Sequence, residues 1–131
     1  LNTLTVDYSK TRQQFGSPIG SFQVLQHRMV DTFMGCEQTK SMLYRGLCES
    51  KSVEEGEADA LALSKTVHAL KATVARYGKT IGEEAIQLHG GIGMTDELNI
   101  GHYVKRLMMI NTTFGDGDFH QKKFNQLSYS V

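Results

Sequence analysis

The sequence has no tryptophan, one proline and two cysteines among its 131 residues, and it contains no long apolar run. A helix that spans a bilayer needs about 20 apolar residues in succession, so a membrane-spanning protein is not expected. No sign of charge predominates, because 14 Lys and Arg residues balance 14 Asp and Glu residues. This balance argues against nucleic acid or an anionic membrane as a partner. A chain of this length fits one domain, 1–131, that is large enough to bury a hydrophobic core without the help of disulfide bonds.

The few cysteines and the amino-terminal residues also carry information. Cys36 and Cys48 fall in one predicted helix, about 18 Å apart along its axis, so they cannot pair with each other. The first residues show no signal-peptide pattern, which favours a reducing, cytoplasmic compartment. An apolar spacing at Leu1, Leu4 and Tyr8 starts without a capping residue, so the chain is predicted to be a fragment. The five histidines show no metal-ligand spacing, and no metal site is predicted.

Apolar residues recur at helical spacing through most of the chain, which predicts an all-α fold. No stretch alternates with period two, and no Asn-Gly hairpin signal is present. An irregular stretch with two glycines and the proline follows the first helix. The natural architecture is a four-helix up-and-down bundle whose first helix is incomplete. The predicted helices cover about 1–11, 22–49, 58–88, 100–112 and 118 onward.

The long second and third helices are predicted to be antiparallel neighbours, because the connection between them is short. The apolar face of the second helix is predicted to be core, and Ser52 with Glu55 has capping-box spacing for the third helix. Asp118 with Gln121 has the same spacing for the last helix. The apolar positions of the second helix are Phe22, Leu25, Met29, Phe33, Cys36, Leu43 and Leu47.

The sequence is organised around the glycine-rich stretch Gln87–Glu97, which follows the long third helix. Gly90 is expected to end that helix, since glycine enters the left-handed region without a Cβ penalty. Gly91 and Gly93 exceed what a cap needs and are expected to leave a bare backbone that a ligand could approach. A plain turn between two helices is the alternative. The glycines follow a helix rather than a strand, so they are not a Rossmann fingerprint.

Two stretches together resemble the C-terminal helical domain of the acyl-CoA dehydrogenases. The first is Arg12-Gln13-Gln14-Phe15-Gly16, with Pro18-Ile19 and Phe22-Gln23, and the second is Gln87–Glu97, continued by His102-Tyr103 and Lys105-Arg106. The resemblance covers the whole chain but only the last part of a family member. It implies a C-terminal fragment of a longer flavoenzyme, whose N-terminal helical and central β domains are missing.

The resemblance implies that these loops contact FAD in an oligomer. Arg12 would contact the pyrophosphate, which suits a permanently charged, forked guanidinium. The alternatives are that Arg12 caps the preceding helix, that Phe15 is core and that Gln23 is a solvated first-turn residue. The cofactor-binding residues implied are Arg12, Gln14, Phe15, Gln23, Gln87, Gly90 and Gly91. The implied partners are an acyl-CoA substrate, another subunit of the same or a different kind, and an electron-transfer acceptor.

Family members oxidise an acyl-CoA thioester to a trans-2-enoyl-CoA, with a carboxylate as base and FAD as hydride acceptor. Here Phe114, before Gly115, occupies the usual position of that base, and phenylalanine cannot abstract a proton. The base could lie upstream of Leu1, another subunit of a heteromeric enzyme could supply it, or Asp116 or Asp118 could have taken the role. No catalytic residue is therefore assigned. The alternatives to an active enzyme domain are a catalytically silent small subunit and a cofactor-free helical interaction module.

Overall fold

A computed structural model describes residues 1–95 and 99–129, and helices dominate it. The predicted all-α bundle is confirmed. Asp96 and Glu97, the last residues of the predicted glycine-rich stretch, lie outside the described residues. Within the described ranges, no helix is both long and apolar enough to cross a bilayer. The elements are α1 (Asn2–Thr11), β1 (Gln13–Gln14), β2 (Ser17–Pro18), a 3₁₀ turn (Ile19–Ser21), α2 (Gln23–Glu54), α3 (Ala60–His89), a second 3₁₀ segment (Gly90–Met94), α4 (Ile100–Thr112) and α5 (Gly117–Tyr129).

The long helices α2 and α3 pack antiparallel, as their short connection predicts. Arg28 Nε lies 2.6 Å from Glu84 Oε2, and Tyr77 donates a hydrogen bond to Gln38. As the residue number increases along α2, the residue number of its contact on α3 decreases, which is the pattern of antiparallel helices. Each residue of a helix adds about 1.5 Å, so the two helices can support each other over roughly 40 Å.

Small residues of α2, rather than its large apolar ones, face α3. Gly35 and Gly46 are buried, and a Cβ on Gly35 would stand 2.6 Å from Tyr77 Cδ1. The prediction that the apolar face of α2 is core is wrong for three of its residues. Phe33, Leu43 and Leu47 are 55%, 47% and 58% exposed.

Capping residues differ from those predicted at two helix starts. α2 continues through Glu54, so Ser52 with Glu55 is not a capping box for α3. Instead, Asp59 accepts a hydrogen bond from Leu61 N. At α5, Asp116 rather than Asp118 is the cap, since its Oδ1 accepts from Phe119 N at 2.8 Å. Side-chain oxygens at the N-cap satisfy amides that lack a helical partner, so the cap belongs one residue before each helix.

Helix α4 packs across the carboxyl-terminal half of α3. Ala85, Ile100 and Val104 form a buried apolar cluster there. Val104 also lies against Gly82 of α3, 3.6 Å from where a Cβ would be. Gly82 thus lets α4 approach α3 closely. This contact supports the end of α3 at which the glycine-rich stretch begins.

Candidate functional site

A two-residue hairpin carries the first signature. Strands β1 and β2 pair antiparallel, with Gln14 opposite Ser17, and the turn residues Phe15 and Gly16 both have positive φ, 54° and 79°. Two successive positive values are typical of a type I′ turn, which fits the twist of short hairpins. Ile19 N donates to Arg12 O at 2.8 Å and closes the base of the hairpin. The hairpin therefore starts from Arg12 and returns beside it.

The second signature forms the end of α3. Gly90 adopts φ 62° and ψ −146°, a region open in practice only to glycine, and its amide caps the last turn of α3. Gly91 is exposed, and nothing lies within 4 Å of where its Cβ would be. The expectation of a bare backbone at Gly93 is wrong. Gly93 is buried, and its Cβ would stand 2.8 Å from His89 Cβ because the segment folds back on α3.

The structure brings the two signatures to one concavity of about 560 Å³. Its walls come from α1, the hairpin and the end of α3. Five of the seven predicted cofactor-binding residues line it, and they are Arg12, Gln14, Gln87, Gly90 and Gly91. The other lining residues are Tyr8, Ile19, Leu88, His89 and Ile92.

The side-chain charge in this concavity favours an anion, and this charge has to outweigh the partial negative charge at the carboxyl ends of α1 and α3. Arg12 is exposed and forms no ion pair with any residue that the structure describes. No Asp or Glu is among the described lining residues, and the amide side chains of Gln14 and Gln87 can donate hydrogen bonds. Volume alone does not select this place, because another concavity of about 540 Å³ lies between α2, α3 and α5. That second concavity includes the carboxylate of Glu37 as well as the guanidinium of Arg76, so its charges are of both signs.

Two predicted cofactor-binding residues lie outside the lining of this concavity. Phe15 stands at the tip of the hairpin, 93% exposed, with its ring 6.2 Å from the ring of Phe22. Its exposure rules out the alternative that it is core in this chain. Gln23 is the exposed first residue of α2. Sequence reasoning missed Tyr8 and His89, although both lie within one turn of a predicted contact residue.

Helix α3 also holds the loop that carries Phe114. Phe114 has a φ of 61° and is 90% exposed. His120 Nε2 lies 3.0 Å from the Phe114 carbonyl oxygen and can donate to it. Lys71 Nζ donates to Ile110 O at 2.9 Å and to Thr113 O at 2.8 Å. These contacts fix the backbone on both sides of Phe114 and leave its ring free.

His120 forms a second contact through its other ring nitrogen. Nδ1 of His68 lies 2.8 Å from Nδ1 of His120. Because His120 Nε2 faces a carbonyl, it carries the proton, and His68 Nδ1 donates to His120. Burial first, and then the charges on His120 and Lys123, lower the pKa of His68 from its ordinary value. Among the described residues no group of three His, Cys, Asp or Glu side chains could hold a metal ion.

Comparison with known proteins assigns the family. The sequence model described as "Acyl-CoA dehydrogenase, C-terminal domain" matches residues 2–123. The chain belongs to the acyl-CoA dehydrogenase family. The resemblance seen in the two signatures is thereby confirmed, and so is the all-α architecture that it implied.

Curated relatives of this acyl-CoA dehydrogenase domain are longer than the chain. An L-prolyl-[peptidyl-carrier protein] dehydrogenase of a Serratia species is 32% identical over 90% of this chain and 29% of its own length. Acyl-CoA dehydrogenase IpdE2 of Mycolicibacterium smegmatis is 40% identical over 79% of this chain and 29% of its own length. The chain therefore spans about three tenths of the length of these relatives.

Solved structures show the same fold. The chain superimposes on the FAD complex of PigA with a TM-score of 0.81 and 27% identity, covering 95% of this chain and 31% of that one. A variant of the Tcur3481-Tcur3483 steroid ACAD gives a TM-score of 0.88 and 26% identity, covering 98% and 34%. The domain thus corresponds to about one third of each of these chains.

Proposed function

We propose that this chain is the FAD-contacting C-terminal domain of a longer acyl-CoA dehydrogenase. The observation that carries the proposal is the shared concavity, where Arg12 and the exposed Gly90–Gly91 backbone face a space with no described carboxylate. A cofactor that contains a diphosphate needs a cation and close donors, and Arg12 with the amide side chains of Gln14 and Gln87 can supply them. The structure of PigA with FAD supports the choice of cofactor.

In this proposal, the residues of the chain bind and orient the cofactor. Arg12 would hold the diphosphate with its fork of N–H donors, and the side chains of Gln14 and Gln87 would add hydrogen bonds. Gly91, which has no side chain, would let the cofactor approach the backbone closely. FAD, when bound, supplies the acceptor for the hydride that leaves an acyl thioester as it becomes a trans-2-enoyl thioester.

Flavin content of the full-length protein tests the cofactor site. Arg12→Ala is expected to weaken FAD affinity about ten- to a hundredfold, since a charge-assisted bidentate contact contributes about 1.5–3 kcal/mol. Gly91→Val should also lower flavin content, because a side chain would fill the approach to the backbone. Arg45→Ala, on the exposed surface of α2, is the control and should keep full content. Unchanged flavin in Arg12→Ala and Gly91→Val would instead support a cofactor-free helical module.

A second candidate function follows from Phe114. An exposed aromatic ring stands where many family members carry the base, and Asp116 is committed to capping α5. We infer that neither Phe114 nor Asp116 supplies the base. The protein would then either carry a carboxylate elsewhere or act as the silent subunit of a heteromeric dehydrogenase. The Tcur3481-Tcur3483 pair gives a precedent for two named components.

Restoring a carboxylate at position 114 tests whether the site lacks only its base. In the silent-subunit reading, Phe114→Glu in the intact complex adds no dehydrogenase rate, because the partner already supplies the base. If Phe114→Glu raises the rate of acyl-CoA oxidation several-fold, the site was complete except for its base. Phe114→Gln is the matched control, since it has similar size and cannot take a proton.

A further inference from the structure

We propose that the stacked rings of Tyr8 and His89 position Arg12 relative to the Gly90–Gly91 turn. The inference rests on the proposed function, because it concerns the two walls of the same anion site. Neither ring needs to touch the cofactor in this role. Tyr8 and His89 act as positioning residues, through the two segments that they hold together.

His89 is fixed at the last position of α3. Its side chain is buried, and its Nδ1 lies 2.8 Å from the carbonyl oxygen of Ala85. A carbonyl can only accept, so Nδ1 carries a proton and the ring orientation is set by the helix itself. The imidazole is therefore a rigid extension of α3.

Tyr8 connects that extension to α1. Its ring stacks on the imidazole with 4.3 Å between centroids and 25° between planes. The Tyr8 hydroxyl donates to the carbonyl oxygen of His89 at 3.4 Å. Arg12 follows Tyr8 by one helical turn, and its amide donates to the carbonyl oxygen of Tyr8 at 2.9 Å. The position of the Tyr8 ring thus sets where the Arg12 backbone begins the hairpin.

The other side of His89 faces the glycine-rich segment. A Cβ on Gly93 would stand 2.8 Å from His89 Cβ and 3.2 Å from the carbonyl oxygen of Ile86. The segment can fold back this tightly only because residue 93 has no side chain. His89 therefore lies between α1 and the loop that starts at Gly90. This one residue contacts both walls of the concavity and sets their relative position.

A double-mutant cycle on FAD affinity tests this positioning in the full-length protein. Tyr8→Leu removes the stacked ring and is expected to weaken FAD binding about fivefold, while Tyr8→Phe keeps the ring and stays within about twofold. In the Arg12→Ala background, Tyr8→Leu should cost less than twofold, because residues that act through one another are not additive. The same cycle run with His89→Gln covers the case in which Tyr8→Leu fails to fold.

Hydrogen exchange of the FAD-free protein gives an independent readout. In Tyr8→Leu, the amides of residues 12–20 and 90–92 should both exchange faster, and in Tyr8→Phe neither segment should change. Equal losses of FAD affinity in both Arg12 backgrounds, or unchanged exchange in Tyr8→Leu, would overturn the positioning role and leave the site intact. Unchanged affinity in Arg12→Ala itself would overturn the proposed site, and the positioning role with it.

Discussion

Gly91 and Gly93 lie two positions apart in one segment, yet their surroundings are opposite. A Cβ at position 93 would meet His89 and the backbone of Ile86, whereas nothing lies within 4 Å of one at position 91. Gly93 is required by packing. Gly91 leaves the surface of the proposed anion site open, so substitutions at the two positions should affect different properties.

We expect Gly93→Ala to lower the free energy of unfolding by about 1–3 kcal/mol, the usual cost of overpacking. Gly91→Ala should change it by less than about 0.5 kcal/mol, as for most exposed positions. Urea denaturation of the two variants at equal protein concentration measures both values. Similar losses in both would show that position 93 is no more crowded than position 91.

The comparison of these glycines shows what the sequence could supply at the residue scale. Surplus glycines after a helix predicted a special segment, but a sequence does not reveal which glycine meets a neighbouring atom. His89 is the clearest case, because its importance comes from Tyr8, which lies 81 positions away in the chain. Arg12 and Gln87, by contrast, were predictable because each stands in a local motif.

Helices α2 and α3 meet through Gly35, and the crowding there is specific to one ring. Tyr77 Cδ1 would lie 2.6 Å from a Cβ, and this atom is part of a rigid ring held by a hydrogen bond to Gln38. Alanine normally gains about 1 kcal/mol over glycine inside a helix, but here the ring must move. The crowding between the two helices therefore opposes the stability that alanine would otherwise gain over glycine at position 35.

Gly35→Ala is accordingly expected to be destabilising by about 1–3 kcal/mol despite that propensity. Gly101→Ala in α4 is the matched control, because nothing lies within 4 Å of its Cβ, and it should be neutral or stabilising. Thermal unfolding followed by circular dichroism distinguishes the two. A more stable Gly35→Ala variant would mean that Tyr77 yields without cost.

The contact between α3 and α5 makes stability depend on pH through His68. Its pKa is lower in the folded chain, chiefly from burial, so the unfolded chain takes up more protons as the pH falls below about 6.5. Stability from this group is thus fully present above that pH and is lost progressively as the pH falls from there through the lower pKa of the folded chain.

His68→Gln should reduce this loss. The amide can still donate to His120, but it does not titrate, so the drop in unfolding free energy between pH 7.5 and 5.5 is expected to be smaller than in the parent. Denaturation curves at the two pH values provide the measurement. His102→Gln is the control, since His102 is exposed on α4. An equal drop in His68→Gln and the parent would contradict the assignment.

At the scale of elements, the sequence predicted helix existence better than helix starts. Apolar periodicity located all the long helices, because burial of one face produces that pattern directly. The cap of α3 was misplaced because Ser52 and Glu55 match a capping box locally, whereas α2 continues through Ser52 and has Glu55 as its own C-cap. The hairpin at 13–18 was missed because its turn has Phe15 where asparagine is usual.

The whole molecule exposes more large apolar side chains than an isolated domain needs. Phe33, Leu43 and Leu47 project from α2, and Phe15 and Phe114 stand almost fully in solvent. Contiguous exposed apolar surface marks places where other protein is bound. We propose that α2 contributes to contacts with another subunit of the dehydrogenase.

Leu47→Glu tests the contact with another subunit, because a carboxylate buried against an apolar partner is costly. In the full-length protein, sedimentation velocity should show a shift toward smaller species at the same concentration. Lys10→Glu, on the exposed surface of α1, should leave the distribution unchanged. An unaltered distribution in Leu47→Glu would place the subunit contact on another surface.

Helix α3 sets the distance between two functional regions of the molecule. Lys71 holds the Phe114 loop, and His89 lies at the proposed anion site, with 18 residues or about 27 Å of continuous helix between them. One inserted residue would turn the far end by about 100°, whereas seven would restore its direction to within about 20°. The length of this stretch is therefore constrained more strongly than most of its side chains, and natural length changes should fall in the connections at either end.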